Sequence, residues 1–125
     1  MGIGLIAGNA VIRLGYGITA LIAPSKPVLG SIPLAPDTGE FPEARLFVRG
    51  FAAHQIAVAV VGLASLPKAR LRRPAMLLAA TIDAADISSA VIDARTRGRL
   101  DPDLTGGIVF SAAGLASALA ALPAA

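Results

Sequence analysis

The chain contains four apolar stretches, each close to 20 residues long, that are separated by prolines or charged residues. They run from about residue 2 to 23, 46 to 66, 74 to 94 and 104 to 122. A helix needs about 20 residues to cross the hydrocarbon core of a bilayer, and strands are much shorter than this. The sequence therefore predicts an all-α fold, a four-transmembrane-helix bundle that forms a single integral membrane domain over residues 1–125.

The composition argues against a soluble or nucleic-acid-binding protein. Hydrophobic residues make up 55% of the chain and charged residues only 15%, whereas soluble proteins average about 25% charged residues. The basic residues cluster in short connectors, as they do beside membrane helices, and aromatic side chains for base stacking are scarce. We therefore expect the lipid bilayer as a partner and no nucleic acid. Without cysteine there is no thiolate metal site, and no cofactor is predicted.

The distribution of lysine and arginine predicts the topology. The connector 67–73 carries the densest positive charge, which favours the cytoplasmic side of a membrane. With four spans, both termini are then cytoplasmic, and a bacterial inner (plasma) membrane is the expected location. Arg13 interrupts the first apolar stretch and no basic segment precedes that stretch, so we expect a retained helix rather than a cleaved signal peptide.

Ionisable residues lie inside the predicted spans, where a charge at the bilayer centre costs about 2.5–3.5 kcal/mol on insertion scales. Their formal charges cancel, because two arginines accompany two aspartates and a neutral histidine; the five are Arg13, Arg49, His54, Asp83 and Asp86. Counted from the membrane side that the first three spans share, Arg13 and Asp83 are both about 15 Å deep, and Asp86 is about 12 Å deep. We therefore predict that Arg13 pairs with Asp83 or Asp86.

The predicted polar site lies between the first three helices and comprises Arg13, Tyr16, Arg49, Asp83 and Asp86. Arg49, about 5 Å deep, is expected to meet Asp86 or Asp93 near the membrane surface. The secondary candidates are Asn9, His54 and Asp93. His54 projects about 140° away from Arg49 on its helix, so we place it on a different face from the cluster. One histidine with two carboxylates does not complete a zinc site, and no metal is predicted.

Two interpretations of this cluster remain open. In one, the buried ion pairs do no more than fix the register of the helices. In the other, they form a polar pocket open to one leaflet. The leading hypothesis is an integral membrane protein that binds a small molecule or a lipid at this site, with its activity unknown.

Two other functional classes compete with the binding hypothesis. The first is an accessory or structural subunit of a larger membrane complex, or a homo-oligomer, because Gly4 and Gly8 form a GxxxG pair of the kind that lets helices approach closely. The second is a membrane-embedded enzyme that uses the two aspartates for proton transfer and the two arginines for anion binding. The sequence leaves enzymatic activity open.

Two short motifs resemble a known group of proteins. Residues 44–50 read A-R-L-F-V-R-G and lead into a small-residue apolar helix, and residues 82–86 read I-D-A-A-D. Together they resemble a family of small bacterial and fungal four-helix membrane proteins classed as a domain of unknown function. The resemblance covers most of the chain; it implies a four-helix membrane fold and supplies no activity. An acidic residue is expected after the second arginine in that family, whereas this chain has Gly50, which leaves the partner of Arg49 open.

Overall fold

The computed structural model describes residues 2–24, 42–100 and 102–125, and within them the chain is almost entirely helical. The helices are α1 (Gly2–Ile22), α2 (Pro42–Ser65), α3 (Ala69–Arg97) and α4 (Pro102–Ala121), followed by a 3-10 turn at Leu122–Ala124. No strand occurs in these residues, so the predicted all-α four-helix fold is confirmed. All four helices are long and apolar enough to cross a membrane.

The third helix begins earlier than the sequence predicts. The sequence places its first residue at Pro74, but α3 starts at Ala69 and includes Pro74 as an internal residue. A proline inside a helix removes one backbone hydrogen bond, and here the loss falls in the exposed first turns of α3. Arg72 stabilises this start, because its Nε and Nη2 donate to the carbonyl oxygen of Leu66 at 3.0 and 2.6 Å. Most of the predicted basic connector is therefore helical.

Two apolar clusters occupy opposite ends of the bundle. The first surrounds Ile6 and includes Val58, Ala75, Met76, Ala79, Ala80, Ala118 and Ala121. The second surrounds Tyr16 and includes Ala20, Val48 and Ala52, with Phe51 and Phe110 packed against them. Ile6 and Tyr16 are about 15 Å apart along α1. Four buried polar residues, Asn9, Arg13, Gln55 and Asp83, lie in the layer between the two clusters.

Glycine allows α1 and α2 to approach closely at one point. A Cβ atom on Gly17 would lie 2.7 Å from Cγ1 of Ile56 and 2.9 Å from the carbonyl oxygen of Ala52. In contrast, nothing lies within 4 Å of a Cβ on Gly4 or Gly8, and both glycines are exposed. The GxxxG pair therefore faces the outside of the bundle and does not bring its own four helices together.

Substitution of Gly17 tests this close approach. We expect Gly17→Ala to lower the free energy of unfolding by about 1–3 kcal/mol, because the new methyl group would displace the α2 backbone. The higher helix propensity of alanine, about 1 kcal/mol, acts in the opposite direction. Gly15→Ala is the matched control, since a Cβ there contacts nothing within 4 Å. Reversible unfolding in mixed micelles measures both variants, and equal stabilities would contradict the packing described.

Candidate functional site

Arg13 lies at the centre of the polar layer between the two apolar clusters. It is near the middle of α1, and its side chain is only 2% exposed. Its guanidinium donates three hydrogen bonds: Nη2 to the carboxylate of Asp83 on α3, Nη1 to the amide oxygen of Gln55 on α2, and Nε to Oδ1 of Asn9 at 2.8 Å. The predicted pairing of Arg13 with Asp83 is confirmed.

The fourth helix joins this layer through Asn9. The Asn9 Nδ2 atom donates to the carbonyl oxygen of Gly114 and to Oγ of Ser117, both at 3.3 Å. Gly114 also lies directly against the ion pair: a Cβ atom there would be 2.6 Å from Oδ2 of Asp83 and 2.8 Å from Nη2 of Arg13. Hydrogen bonds from two side chains of α1, Asn9 and Arg13, therefore reach all three other helices.

The Arg13–Asp83 pair is closed to its surroundings. Asp83 is completely buried, and its Oδ1 atom has no hydrogen-bond partner among the described residues. Taking two charges out of water costs several kcal/mol per ion, which good geometry and additional hydrogen bonds can offset. Gln55 and Asn9 supply those additional bonds to the arginine. The bonds from Arg13 to Gln55 and Asp83 connect α1 to α2 and α3 at this level.

A second pair, His54 with Asp86, adjoins the first and is more open. Gln55 connects the two pairs: its Nε2 donates to Oδ2 of Asp86 at 3.5 Å and lies 3.2 Å from Nε2 of His54. His54 Nε2 and Asp86 Oδ2 are 3.5 Å apart, and their side chains are 37% and 23% exposed. We call the contact between α2 and α3 at which His54 and Asp86 lie the α2–α3 seam.

The position of His54 corrects the sequence analysis, which placed it on a different face from the cluster. Its angular separation from Arg49 was the basis of that prediction, but Arg49 itself lies outside the cluster. Nε of Arg49 donates to the carbonyl oxygen of Leu21 at 3.3 Å, where the unpaired carbonyls at the end of α1 favour a cation. The angle between Arg49 and His54 on α2 therefore gave no information about whether His54 lies near the cluster.

The contact predicted between Arg49 and Asp86 or Asp93 does not form. Asp86 lies beside His54. Asp93 pairs with Arg97 on its own helix at 2.7 Å, and both side chains are at least 40% exposed. A partner one helical turn away meets Asp93 without any tertiary arrangement. Arg49 and Asp93 are therefore not part of the candidate site.

Aromatic rings close the polar layer on the side of the second apolar cluster. The ring of Tyr16 stacks on Phe110 with centroids 4.2 Å apart and meets the edge of Phe51 at 5.8 Å. Phe51 in turn packs edge-on against His54 at 4.7 Å. Tyr16 was singled out in the sequence, and the structure places it beside the site as an apolar wall.

The sequence analysis missed three residues that build this layer: Gln55, Gly114 and Ser117. Gln55 carried a usable signal, because an amide beside a histidine inside an apolar span must find a hydrogen-bond partner. Gly114 and Ser117 carried none that separates them from the many small residues of α4. Their role depends on which side of α4 faces Arg13, and only the tertiary structure shows that.

A cavity of about 110 Å³ lies between α1 and α4. It is lined by Asn9, Ile12, Arg13, Phe110, Ala113, Gly114 and Ser117. Arg13 is the only one of the predicted charged site residues that reaches its wall. This cavity is therefore not the four-charge pocket that the sequence suggested.

Among the described residues, no group of three or more histidine, aspartate or glutamate side chains is placed to hold a metal ion. No known protein family, curated protein or solved structure matches this chain. The resemblance of its short motifs to a four-helix family stays a prediction.

Removing one partner of the buried ion pair should lower the stability of the protein strongly, whereas replacing both partners with apolar side chains should not. We expect Asp83→Asn to reduce stability by about 3–5 kcal/mol, because Arg13 would remain buried without a counter-charge. The double variant Arg13→Met/Asp83→Leu should recover most of this loss, since apolar side chains often substitute well for a buried ion pair.

Asp93→Asn is the control for this experiment, because it removes the same charge from an exposed i, i+4 pair that contributes about 0.5 kcal/mol. Unfolding in mixed micelles measures all three variants. A loss for Asp83→Asn as small as that for Asp93→Asn would show that Arg13 does not depend on Asp83.

Proposed function

We propose that this chain is a small integral membrane protein that binds a small membrane-soluble molecule or a lipid at the α2–α3 seam. The observation that carries the proposal is the difference in exposure between the two adjoining pairs. Arg13 and Asp83 are closed inside the bundle, whereas His54 and Asp86 remain partly exposed within helices apolar enough to cross a membrane.

The depth of the seam supports a bound polar group. His54 is six residues inside the apolar segment Val48–Ser65, about 9 Å from its end. Polar groups that face hydrocarbon at that depth are expensive, so they usually face a cavity, a partner or a ligand. A ligand with a polar group at the seam and an apolar body in the lipid removes that cost.

The charge balance indicates which polar group fits the seam. Arg13 neutralises Asp83, and Arg49 lies at the end of α1, so the described side chains within 3.5 Å of the Asp86 carboxylate are the imidazole of His54 and the amide of Gln55. A carboxylate in this position favours a ligand that donates hydrogen bonds or carries positive charge, such as an amine or a hydroxyl group. The ring of Phe51, which packs against His54, adds an apolar surface that also favours a cation.

The membrane location is part of the same proposal. The basic start of α3 supports a cytoplasmic position for that end of the bundle, and with it cytoplasmic termini. A bacterial inner membrane remains the proposed compartment on grounds of composition.

The alternative of an accessory subunit is favoured by one specific observation. Gly4, Gly8 and Gly15 lie on one exposed face of α1, and a Cβ atom at any of them would meet nothing within 4 Å. A small-residue face of this kind suits close contact with a further membrane helix. The enzyme alternative has no comparable support, because Asp83, one of its two acid–base groups, is engaged with Arg13.

The single histidine of the chain allows a direct test of the seam. In protein labelled with ¹⁵N-histidine, every imidazole signal comes from His54. We expect dodecylamine, added to the protein in lipid nanodiscs, to cause a saturable shift of these signals. Dodecanoic acid, of equal chain length and opposite charge, should cause none.

Asp86→Asn should weaken the response to dodecylamine at least tenfold, since a hydrogen bond to a charged group contributes about 1.5–3 kcal/mol. Asp93→Asn, the same change on the same helix but outside the seam, should leave it intact. A shift that never saturates, or an equal response in Asp86→Asn, would refute binding at the seam.

A further inference from the structure

A set of exposed cations marks the start of α3. Lys68, Arg70 and Arg73 are all exposed, and no hydrogen bond or ion pair connects their side chains to the part of the chain that the structure describes. Arg72 differs from them, because its guanidinium is engaged by the carbonyl oxygen of Leu66. We call Lys68, Arg70 and Arg73 the α3 basic patch.

The surrounding half of the bundle offers no acidic side chain to neutralise this patch. The sequence has no aspartate or glutamate between Glu43 and Asp83, and none in α1 or in residues 104–125. The acidic residues of the helices therefore lie in the polar layer or toward the opposite end. Among the side chains that the structure describes, no carboxylate pairs with the positive charge of the patch.

The local helix geometry also favours an anion at this point. Helix N-termini attract negative charge, yet the first turn of α3 has no acidic residue and Lys68 provides no side-chain cap. Arg70 and Arg73 are three residues apart, so their side chains project from the same side of the helix. Two arginines in this arrangement can contact one phosphate group.

The apolar surface next to the patch identifies the source of that phosphate. Leu71, Leu77 and Leu78 are 40–47% exposed, and Leu77 is about 6 Å along the helix from Arg73. The headgroup layer of one leaflet is about 5–8 Å thick. When the leucines contact acyl chains, the arginines therefore lie at headgroup depth. A soluble anion or a nucleic acid would not need this adjoining apolar surface.

We propose that the α3 basic patch binds the headgroup of an anionic phospholipid, with Arg70 and Arg73 on the phosphate and Lys68 at its edge. This site is about 20 Å along α3 from Asp86 of the α2–α3 seam, and it does not depend on the ligand proposed there. The patch recognises negative charge, whereas the seam favours a hydrogen-bond donor or a cation.

Native mass spectrometry in detergent tests the proposal with dioleoylphosphatidylglycerol and dioleoylphosphatidylcholine as probes. The wild-type protein should bind the anionic lipid more tightly. In Arg70→Gln/Arg73→Gln, the affinity for the anionic lipid relative to the zwitterionic lipid should fall about 25-fold, or about fivefold per arginine. Arg70→Lys/Arg73→Lys keeps both positive charges and should retain most of the lipid preference. This result would show that the loss in the glutamine variant comes from the missing charge and not from misfolding.

Arg95→Gln/Arg99→Gln is the matched control. It also removes two positive charges, but from the C-terminal end of α3 and the residues just after it, and it should leave the lipid preference unchanged. An equal loss in this control, or no lipid preference in the wild type, would overturn the proposal. Inorganic phosphate at the same concentration should not displace the lipid. If it did, the patch would be a site for a free anion and not for a lipid.

Discussion

The buried ion pair between Arg13 and Asp83 is the constraint on which this bundle depends. A guanidinium in the interior of an apolar helix is unfavourable unless a counter-charge and hydrogen-bond acceptors surround it. The acceptors come from three helices, and Asn9 extends the network to the fourth. These bonds constrain the register of the helices, and α4 has a glycine, Gly114, where a Cβ atom would lie within 3 Å of the pair.

This arrangement divides the polar residues into two roles. Arg13 and Asp83 are closed off and serve the fold, whereas His54 and Asp86 are linked to them through Gln55 and remain partly exposed at the α2–α3 seam. A buried ion pair behind a more open pair is a suitable basis for a binding site, since its groups are held in place before a ligand arrives. The exposed cations at the start of α3 belong to a separate surface.

The sequence predicted the elements that depend on length and charge. Four apolar stretches of about 20 residues were enough to predict the helices. Counting depth along them predicted that Arg13 pairs with Asp83 or Asp86, and the structure shows the pair with Asp83. Two errors share a physical cause: Arg49 was assigned a partner from its depth and His54 was assigned a face from its angle, although the residues on the neighbouring helices decide the contacts. Gln55 was missed as a site residue because the candidates were chosen by their formal charge, and an amide side chain is neutral. Pro74 was taken as a helix start, but α3 begins five residues earlier, at Ala69, and includes Pro74 as an internal residue.

The most direct test of the central claim is the distance between Arg13 and Asp83 in a lipid bilayer. Solid-state NMR can measure the dipolar coupling between ¹⁵Nη of arginine and ¹³Cγ of aspartate, with Asp83→Asn used to identify the signal. A buried ion pair predicts a coupling that corresponds to a separation of about 4 Å or less, together with an ionised carboxylate signal. A carboxyl signal that shows Asp83 to be protonated would contradict the account. So would a spectrum in which Asp83→Asn removes no arginine–aspartate coupling.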